Sequence, residues 1–162
     1  MDASGQISGV KATASSIPFG RARFDVVASV HSVRNFNSKN EVQAFLRESP
    51  RLLKEGGRLV IAESSVGDAR FPAYNAFYEM RTELGWELAL PSVSEIVSWL
   101  RRAGFSKTSC ESLETGLEYA PVHFPFDSLS MKDMKEDYEA AKNLLIRDGE
   151  RHPPIDIITA TR

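Results

Sequence analysis

A single histidine directly follows the first strongly apolar run of the sequence, and its position makes it a candidate for acid–base chemistry. The run covers Phe24–Val30, and His31 comes next. Imidazole changes charge near neutral pH, so His31 could act there as a general base. The alternative is an ordinary polar residue at the end of a strand. Ser29, Val30 and Arg34 share this location, where parallel sheets commonly bind ligands.

The other histidines and the one cysteine show no catalytic or metal-binding pattern. His123 and His152 lie far apart in proline-containing loops without metal-ligand spacing, and we expect both to be solvated. Cys110 alternates with its neighbours on a predicted strand, which favours a buried thiol over a reactive one. The sequence also contains no P-loop, no zinc spacing and no serine–histidine–acid arrangement. We therefore predict no metal site.

The composition predicts one globular domain. The chain has 162 residues, of which 42% are hydrophobic and 26% charged, enough for a domain with its own core. A net charge of −2 favours neither nucleic acid nor an anionic membrane as a partner. The single cysteine, the lack of a secretory signal and the lack of an apolar run near ~18 residues favour a cytoplasmic protein.

The apolar pattern predicts an α/β domain over residues 24–162, preceded by a partly flexible segment over residues 1–23. A short strand could form over Ile7–Thr13. The valine-rich run Phe24–Val30 is typical of a strand buried on both faces. This run and the elements after it must position any residue that performs chemistry.

Capping residues and glycines mark the helix that follows. Ser38 and Glu41 have the spacing of a capping box, which begins a helix. Pro50 removes a backbone donor, so the helix should kink or restart there. We expect Gly56–Gly57 to end it, because glycine accepts a positive φ without steric cost. A second buried strand is predicted over Leu59–Ala62.

The remaining elements follow the same signals. Tyr74, Phe77 and Tyr78 form an aromatic stripe at helical spacing, which more often packs in a core than binds a ligand. Ser92 and Glu95 repeat the capping box, and Gly104 should end that helix. Three further elements are predicted: a strand over Phe105–Leu113, a helix over Ser130–Arg147 and a strand over Ile155–Thr161.

Several short motifs occur in an order that matches a known family. Ser15–Phe19 and Arg23–Val27 are similar to a loop and the strand after it, and Arg51–Ile61 is similar to a helix end, glycine turn and strand. Leu100–Phe105 and Ile155–Thr161 complete the order. Together these motifs resemble class I S-adenosylmethionine-dependent methyltransferases, most closely the small-molecule group called type 11. The resemblance covers residues 12–162.

The resemblance implies a fold, a cofactor and a set of site residues. The fold would be a partial Rossmann-like sheet with family strands in the order 4-5-7-6, the last strand antiparallel, and flanking helices. The cofactor would be S-adenosyl-L-methionine. Its binding residues would be Thr13, Ala14, Ser29, Val30 and His31, with His31 also the candidate catalytic residue. The substrate would contact Arg34 in the loop after Phe24–Val30, and Tyr74 and Tyr78 where the family builds a lid.

The sequence departs from the family where the cofactor is normally held. Gly5–Gly9 lacks the spacing of the family's glycine-rich turn, and Thr13 occupies the position of a common aspartate. The acidic residue that ends the family's second strand also has no counterpart. We therefore expect the C-terminal half of a methyltransferase domain that is inactive as an isolated chain.

Three hypotheses remain open at this point. The chain could be half of a split enzyme, a non-catalytic interaction or scaffold module, or a fragment of an ordinary enzyme. The edge strand Phe24–Val30 should not stay bare, because exposed edges promote aggregation. It could be covered by Ile7–Thr13, by a second copy in a homodimer, or by a separate chain.

Overall fold

The computed structural model describes residues 9–83, 85–118, 143 and 151–162. Its strands are β1 (Phe24–Val30), β2 (Leu53–Ser64), β3 (Lys107–Leu113) and β4 (Ile155–Thr161). Its helices are α1 (Lys39–Leu52), α2 (Pro72–Glu83) and α3 (Val93–Arg102), and a short 3-10 turn spans Val33–Asn35. Within these residues, no helix has the length and apolar character needed to cross a membrane.

The four strands form one mixed sheet in the order β1-β2-β4-β3. β1 and β2 are parallel, whereas β4 runs antiparallel to both of its neighbours. In the family's strand numbering this is the order 4-5-7-6, so the predicted α/β fold class is confirmed. The bounds of β1 and β4 match the predicted strands.

Helices α1 and α3 cover one face of the sheet and bury its core. Both apolar faces follow helical spacing, so each helix turns one stripe toward the strands. The fully or almost fully buried side chains of this core include Val42 and Leu46 of α1, Leu53, Leu59 and Ile61 of β2, Ile96 and Leu100 of α3, Ile158 and Ala160 of β4, and Val33 of the 3-10 turn. Lys39 at the start of α1 donates to Glu95 of α3 at 2.6 Å, which joins the two helix N-termini.

The prediction that β1 is buried on both faces is wrong. Val26 is 46% exposed and Val30 is 58% exposed, while Val27 packs against the core. Successive side chains of a strand point to opposite faces, and α1 and α3 lie on only one of them. In the described part of the chain, β1 therefore presents valines to solvent.

The connection from α1 to β2 also differs from the prediction. α1 continues through Pro50 without restarting, since the proline lies in its last turn, and the helix ends at Leu52 rather than at the glycines. Gly56 and Gly57 lie inside β2, where the pairing of β1 with β2 shifts register between Phe24 and Val26. A glycine pair fits this irregularity because Gly56 has a φ of +72° and Gly57 approaches neighbouring backbone closely.

Three smaller predictions have different outcomes. Residues 9–12 form no strand and Thr13 makes an isolated bridge with Ser16, so the strand predicted over Ile7–Thr13 is wrong where it is described. Cys110 lies on the edge strand β3 and is exposed rather than buried. Partial desolvation raises the pKa of its thiol, and the nearby charges of Asp156 and Glu111 raise it further. The helix predicted over Ser130–Arg147 and the loop residue His123 lie outside the described residues, apart from helical Asn143.

Candidate functional site

Three strand ends meet at one edge of the sheet. β1 and β2 finish there, and β4 begins there because it runs antiparallel to β2. The register places Ala62 beside Val30, so the residues that follow β1 and those that end β2 are neighbours. His152 precedes β4, and its ring centroid lies 6.2 Å from that of His31. This edge collects polar side chains from distant parts of the sequence.

Arg34 is the centre of this strand-end cluster. Its guanidinium donates through Nη2 to His31 Nδ1 at 2.9 Å and through Nη1 to the Tyr74 hydroxyl. Its Nε lies 3.5 Å from Glu63 Oε2, which makes an ion pair longer than a normal hydrogen bond. The guanidinium carbon lies 5.3 Å from the centroid of the Tyr78 ring, a cation–π distance. One side chain therefore fixes the positions of four others.

The contact with Arg34 determines which form of His31 is present. Arginine has only donors, so Nδ1 of His31 must accept and the ring proton of the neutral form lies on Nε2. Burial lowers the pKa of His31, and the charges of Arg34 and His152 lower it further. His31 also has a φ of +48°, which turns the chain sharply out of β1. The neutral ring thus presents Nε2–H as a hydrogen-bond donor.

Glu63 is a buried carboxylate at the end of β2. It is 8% exposed, and its Oε1 accepts a 2.6 Å hydrogen bond from the backbone N–H of Val33. Desolvation raises its pKa, while the charge of Arg34 and the backbone hydrogen bonds partly oppose that shift. Its Oε2 receives no hydrogen bond although it is buried. Glu63 therefore holds the turn after β1 through Oε1, while its Oε2 makes only the 3.5 Å ion pair with Arg34 and accepts no hydrogen bond.

A cavity of about 610 Å³ opens beside this cluster. It lies between the end of β2 and the N-terminus of α3. Its polar lining residues are Arg34, Glu63, Ser64 and Ser65 at the β2 end, and Ser92, Ser94 and Glu95 at the α3 end. Ser64 is only 4% exposed, and its Oγ has no hydrogen-bond partner. Most of the remaining wall is apolar: Val66, Leu90, Pro91, Val93 and Val97.

The sequence of this chain is similar to known methyltransferases. Residues 2–61 match the family model Methyltransf_11, described as a methyltransferase domain. The ubiquinone/menaquinone biosynthesis C-methyltransferase UbiE of Pseudomonas aeruginosa is 37% identical over 76 residues, which are 46% of this chain and 28% of that protein. The resemblance to class I S-adenosylmethionine-dependent methyltransferases is confirmed. The aligned part spans less than a third of that relative's length.

Solved structures show that the methyltransferase fold extends over nearly the whole chain. A methyltransferase from Archaeoglobus fulgidus superposes with a TM-score of 0.59 at 19% identity, covering 98% of this chain and 69% of that one. The [4+2]-cyclase SpnF gives a TM-score of 0.58 at 20% identity, covering 96% of this chain and 54% of that one. At such identities the likeness establishes the fold alone.

The cluster contains several of the residues that the methyltransferase resemblance implied. Ser29 is buried near the end of β1 and Val30 is exposed there. Arg34 contacts both Tyr74 and Tyr78. Both tyrosines are also buried in the hydrophobic cluster around α2, so the aromatic stripe packs in a core and contacts the site as well. These positions suit a ligand at the strand ends, and their roles stay predictions.

Thr13 and Ala14 lie apart from this group. Thr13 bonds to Ser16 through its carbonyl at 3.0 Å, and Ala14 packs against the core. Within the described residues, no hydrogen bond joins either of them to the strand-end cluster of the methyltransferase fold. Their assignment to the cofactor remains a prediction.

Two members of the cluster were missed by sequence reasoning. Glu63 ends an apolar strand, and an acidic residue at that point was the available signal. His152 was expected to be solvated, but it is half-buried and its ring centroid lies 6.0 Å from that of Tyr74. Its signal was topological, since a last strand that runs antiparallel begins at the edge where β1 and β2 end.

Proposed function

We propose that this chain supplies the acceptor side of an S-adenosylmethionine-dependent methyltransferase and gains cofactor affinity only when a glycine-rich segment completes it. That segment could belong to a separate chain, to a second copy, or to a longer form of the same polypeptide. The isolated chain is then inactive. We also propose that the protein acts in the cytoplasm, because a chain with a single cysteine forms no internal disulfide and suits a reducing compartment.

The observation that carries this proposal is the uncovered side of β1. Val26 and Val30 point away from α1 and α3 and are roughly half exposed. In the described sheet β1 is a terminal strand, so its outer edge also has unpaired backbone groups. Valine side chains beside an open edge favour pairing with another segment. This is the side on which the family places its cofactor-binding strands.

The described residues fit only part of a cofactor site. His31 Nε2–H and the end of β1 offer donor and backbone groups at the sheet edge. The sequence has no glycine turn of the family's spacing, which would allow close approach of the cofactor's methionine part. When bound, S-adenosylmethionine supplies an electrophilic methyl group. This chain's contribution is to orient the acceptor, since catalysis of this kind depends largely on positioning.

The role of the chain's own residues follows from their contacts. Arg34 fixes the Tyr74 hydroxyl and the His31 ring, so both present defined hydrogen-bonding atoms. Glu63 Oε2 is placed to accept a hydrogen bond from a methyl-accepting substrate in the cavity. Arg34 carries permanent charge and holds this group together rather than exchanging protons.

Calorimetric titration tests the cofactor part of the proposal. S-adenosylmethionine added to the isolated chain is expected to give no binding heat at sub-millimolar concentration. Tight binding at one molecule per chain would contradict the need for a completing segment. As a positive arm, the same titration is repeated after mixing with a methyltransferase segment that carries the glycine-rich turn, and binding is expected there.

A non-catalytic scaffold is the second candidate. It is favoured by the missing glycine-rich turn and by the cyclase name of one structural neighbour, which indicates that this fold also serves other functions. Purification from the native source separates the two candidates. A companion chain with a glycine-rich strand–turn–helix favours the enzyme, whereas companions without one favour the scaffold.

A further inference from the structure

We propose that the cavity beside β2 binds an uncharged ligand with an apolar body and one hydroxyl group, which donates a hydrogen bond to Glu63 Oε2. The inference rests on the proposed function only where it names this ligand as the methyl acceptor. Binding itself requires neither the cofactor nor a completing segment. The assignment therefore can be tested independently of methyl transfer.

The charges around the cavity exclude an ionic ligand. Glu63 is paired with Arg34 at 3.5 Å, and Glu95 is paired with Lys39 at 2.6 Å. Each carboxylate on the wall therefore already has a cation beside it. An added anion would meet two carboxylates, and an added cation would compete with pairs that are already formed. A neutral ligand disturbs neither pair.

The N-terminus of α3 also disfavours an anionic ligand, because its capping box already places the Glu95 carboxylate there. Ser92 accepts from the backbone N–H of Glu95, and Glu95 accepts from the backbone N–H of Ser92 at 2.9 Å. This capping box uses the backbone N–H groups of Ser92 and Glu95, and its carboxylate repels a phosphate or carboxylate ligand at this helix end. Val93 and Val97 add apolar surface to the α3 end of the cavity.

Among the described residues, three buried polar atoms remain without hydrogen bonds, and all belong to cavity-lining residues: Arg34 Nε, Glu63 Oε2 and Ser64 Oγ. Arg34 Nε and Glu63 Oε2 face each other at 3.5 Å, which is too long for a hydrogen bond, so Glu63 Oε2 can still accept one from a ligand. A buried polar group without a partner destabilises the fold by roughly 1–3 kcal/mol, so such groups are seldom left unsatisfied. Ser65 provides a contrast, because its hydroxyl donates to Asp156 at 2.7 Å. Of the adjacent serines, Ser64 therefore has a hydroxyl free to bind a ligand.

The remaining wall determines the body of the ligand. Valine, leucine and proline side chains dominate it, and the volume of about 610 Å³ is typical of small-molecule sites. Such a wall gains free energy by excluding water from an apolar surface. An aromatic or branched aliphatic body with one hydroxyl matches both parts of the cavity.

Binding of 1-naphthol to the full chain at pH 7 tests this assignment, with 1-methylnaphthalene as the analogue that lacks the hydroxyl. Backbone amide shifts of Ser64 and Val93 are followed by NMR during each titration. We expect 1-naphthol to bind about tenfold more tightly, since a hydrogen bond to a charged group is worth that ratio. 1-Naphthoate, the anion, is expected to bind more weakly than either.

Substitutions separate the hydroxyl contact from simple apolar binding. Glu63→Gln and Ser64→Ala should each reduce the preference for 1-naphthol, while Ser65→Ala, at the neighbouring serine with a paired hydroxyl, should retain it. Ser64→Ala keeps the test valid if Glu63→Gln fails to fold, which thermal unfolding would reveal. Equal affinity for 1-naphthol and 1-methylnaphthalene, or tighter binding of 1-naphthoate, would overturn the assignment.

The outcomes also distinguish this inference from the proposed function. If 1-naphthol binds as expected but the completed assembly never binds S-adenosylmethionine, the cavity assignment stands and the methyltransferase proposal fails. If the assembly binds the cofactor but the cavity shows no hydroxyl preference, the function stands and this inference fails.

Discussion

At the scale of single residues, the chemistry of the site depends on how Arg34 orients the side chains that it contacts. It donates through Nη1 to Tyr74 and through Nη2 to His31, and its Nε is ion-paired with Glu63 at 3.5 Å. These three partners can face a ligand, and the contact with Arg34 fixes the orientation of each. Arg34 is a positioning residue because it acts through the side chains around it.

Replacing Arg34 tests this role. Arg34→Gln should raise the pKa of His31, because the charge of Arg34 is one of the causes that lower it. The same change leaves Glu63 without its cation and should destabilise the fold by about 3 kcal/mol. NMR titration of the histidine ring and urea unfolding measure the two effects.

The matched control for this substitution is Arg47→Gln on the exposed face of α1. It removes the same charge without touching the cluster and should leave the pKa of His31 unchanged. An unaltered His31 pKa in Arg34→Gln would contradict a contribution from Arg34 and leave burial and His152 as the causes of its lowered pKa.

At the scale of elements, the glycines of β2 show how local geometry fixes the sheet. A Cβ on Gly57 would lie 2.9 Å from the carbonyl oxygen of Lys54 and 3.2 Å from that of Asp25. A Cβ on Gly56 would meet open space, but its φ of +72° disfavours other residues. The irregular pairing of β1 with β2 therefore requires glycine at both positions for different reasons.

The two glycines should differ in their response to alanine. Gly56→Ala should cost about 1–2 kcal/mol, the usual penalty for a left-handed residue with a Cβ. Gly57→Ala should cost more, because its Cβ would clash with the backbone oxygen of Lys54 within β2 and crowd that of Asp25 in β1, and neither oxygen can move without distorting a strand. Denaturant unfolding of both variants measures the difference, and equal losses would argue against a backbone clash.

The elements also show which parts of the fold and the site the sequence could reveal. Strands β1 and β4 and the capping boxes follow from local signals such as apolar runs and Ser–Glu spacing. The exposure of Val26 and Val30 could not be deduced from their own residues, because it depends on what lies across the sheet. Glu63 and His152 were missed for the same reason, since they join the site only through the topology of the sheet.

At the scale of the whole molecule, the open side of β1 should control association. Val30→Lys places a charge on the exposed valine surface, so we expect it to abolish binding of a completing segment or second copy. Leu113→Lys, at a residue 51% exposed on the opposite edge strand, is the matched control and should have no effect. Light scattering at two concentrations and co-purification record the outcome. Loss of association in both variants would move the interface away from β1.

Proton binding by His31 should also affect the stability of the whole fold. Its folded pKa is lowered, so its stabilising contribution is present above the unfolded value of ~6.5 and is lost as pH falls below it. Glu63 has the opposite sign, because its raised pKa makes its contribution decline as pH increases.

Comparing the stability of the unsubstituted chain with that of a His31 variant separates the effect of His31 protonation from that of Glu63. His31→Asn keeps a residue type that accepts positive φ. The stability advantage of the unsubstituted chain over this variant should be greater at pH 7 than at pH 5.5. Urea unfolding at the two pH values provides the test, and an advantage independent of pH would contradict it.

The position of β4 in the sheet has a consequence for the order of assembly during synthesis. β4 comes last among the described strands, yet it lies between β2 and β3, and Arg58 pairs with Thr161. A ribosome therefore releases β1, α1 and β2 long before the strand that must cover the inner edge of β2. β3 also has no place in the sheet until β4 emerges. Such distant pairing slows folding and leaves the edges of β2 and β3 exposed in the nascent chain until β4 has been synthesised.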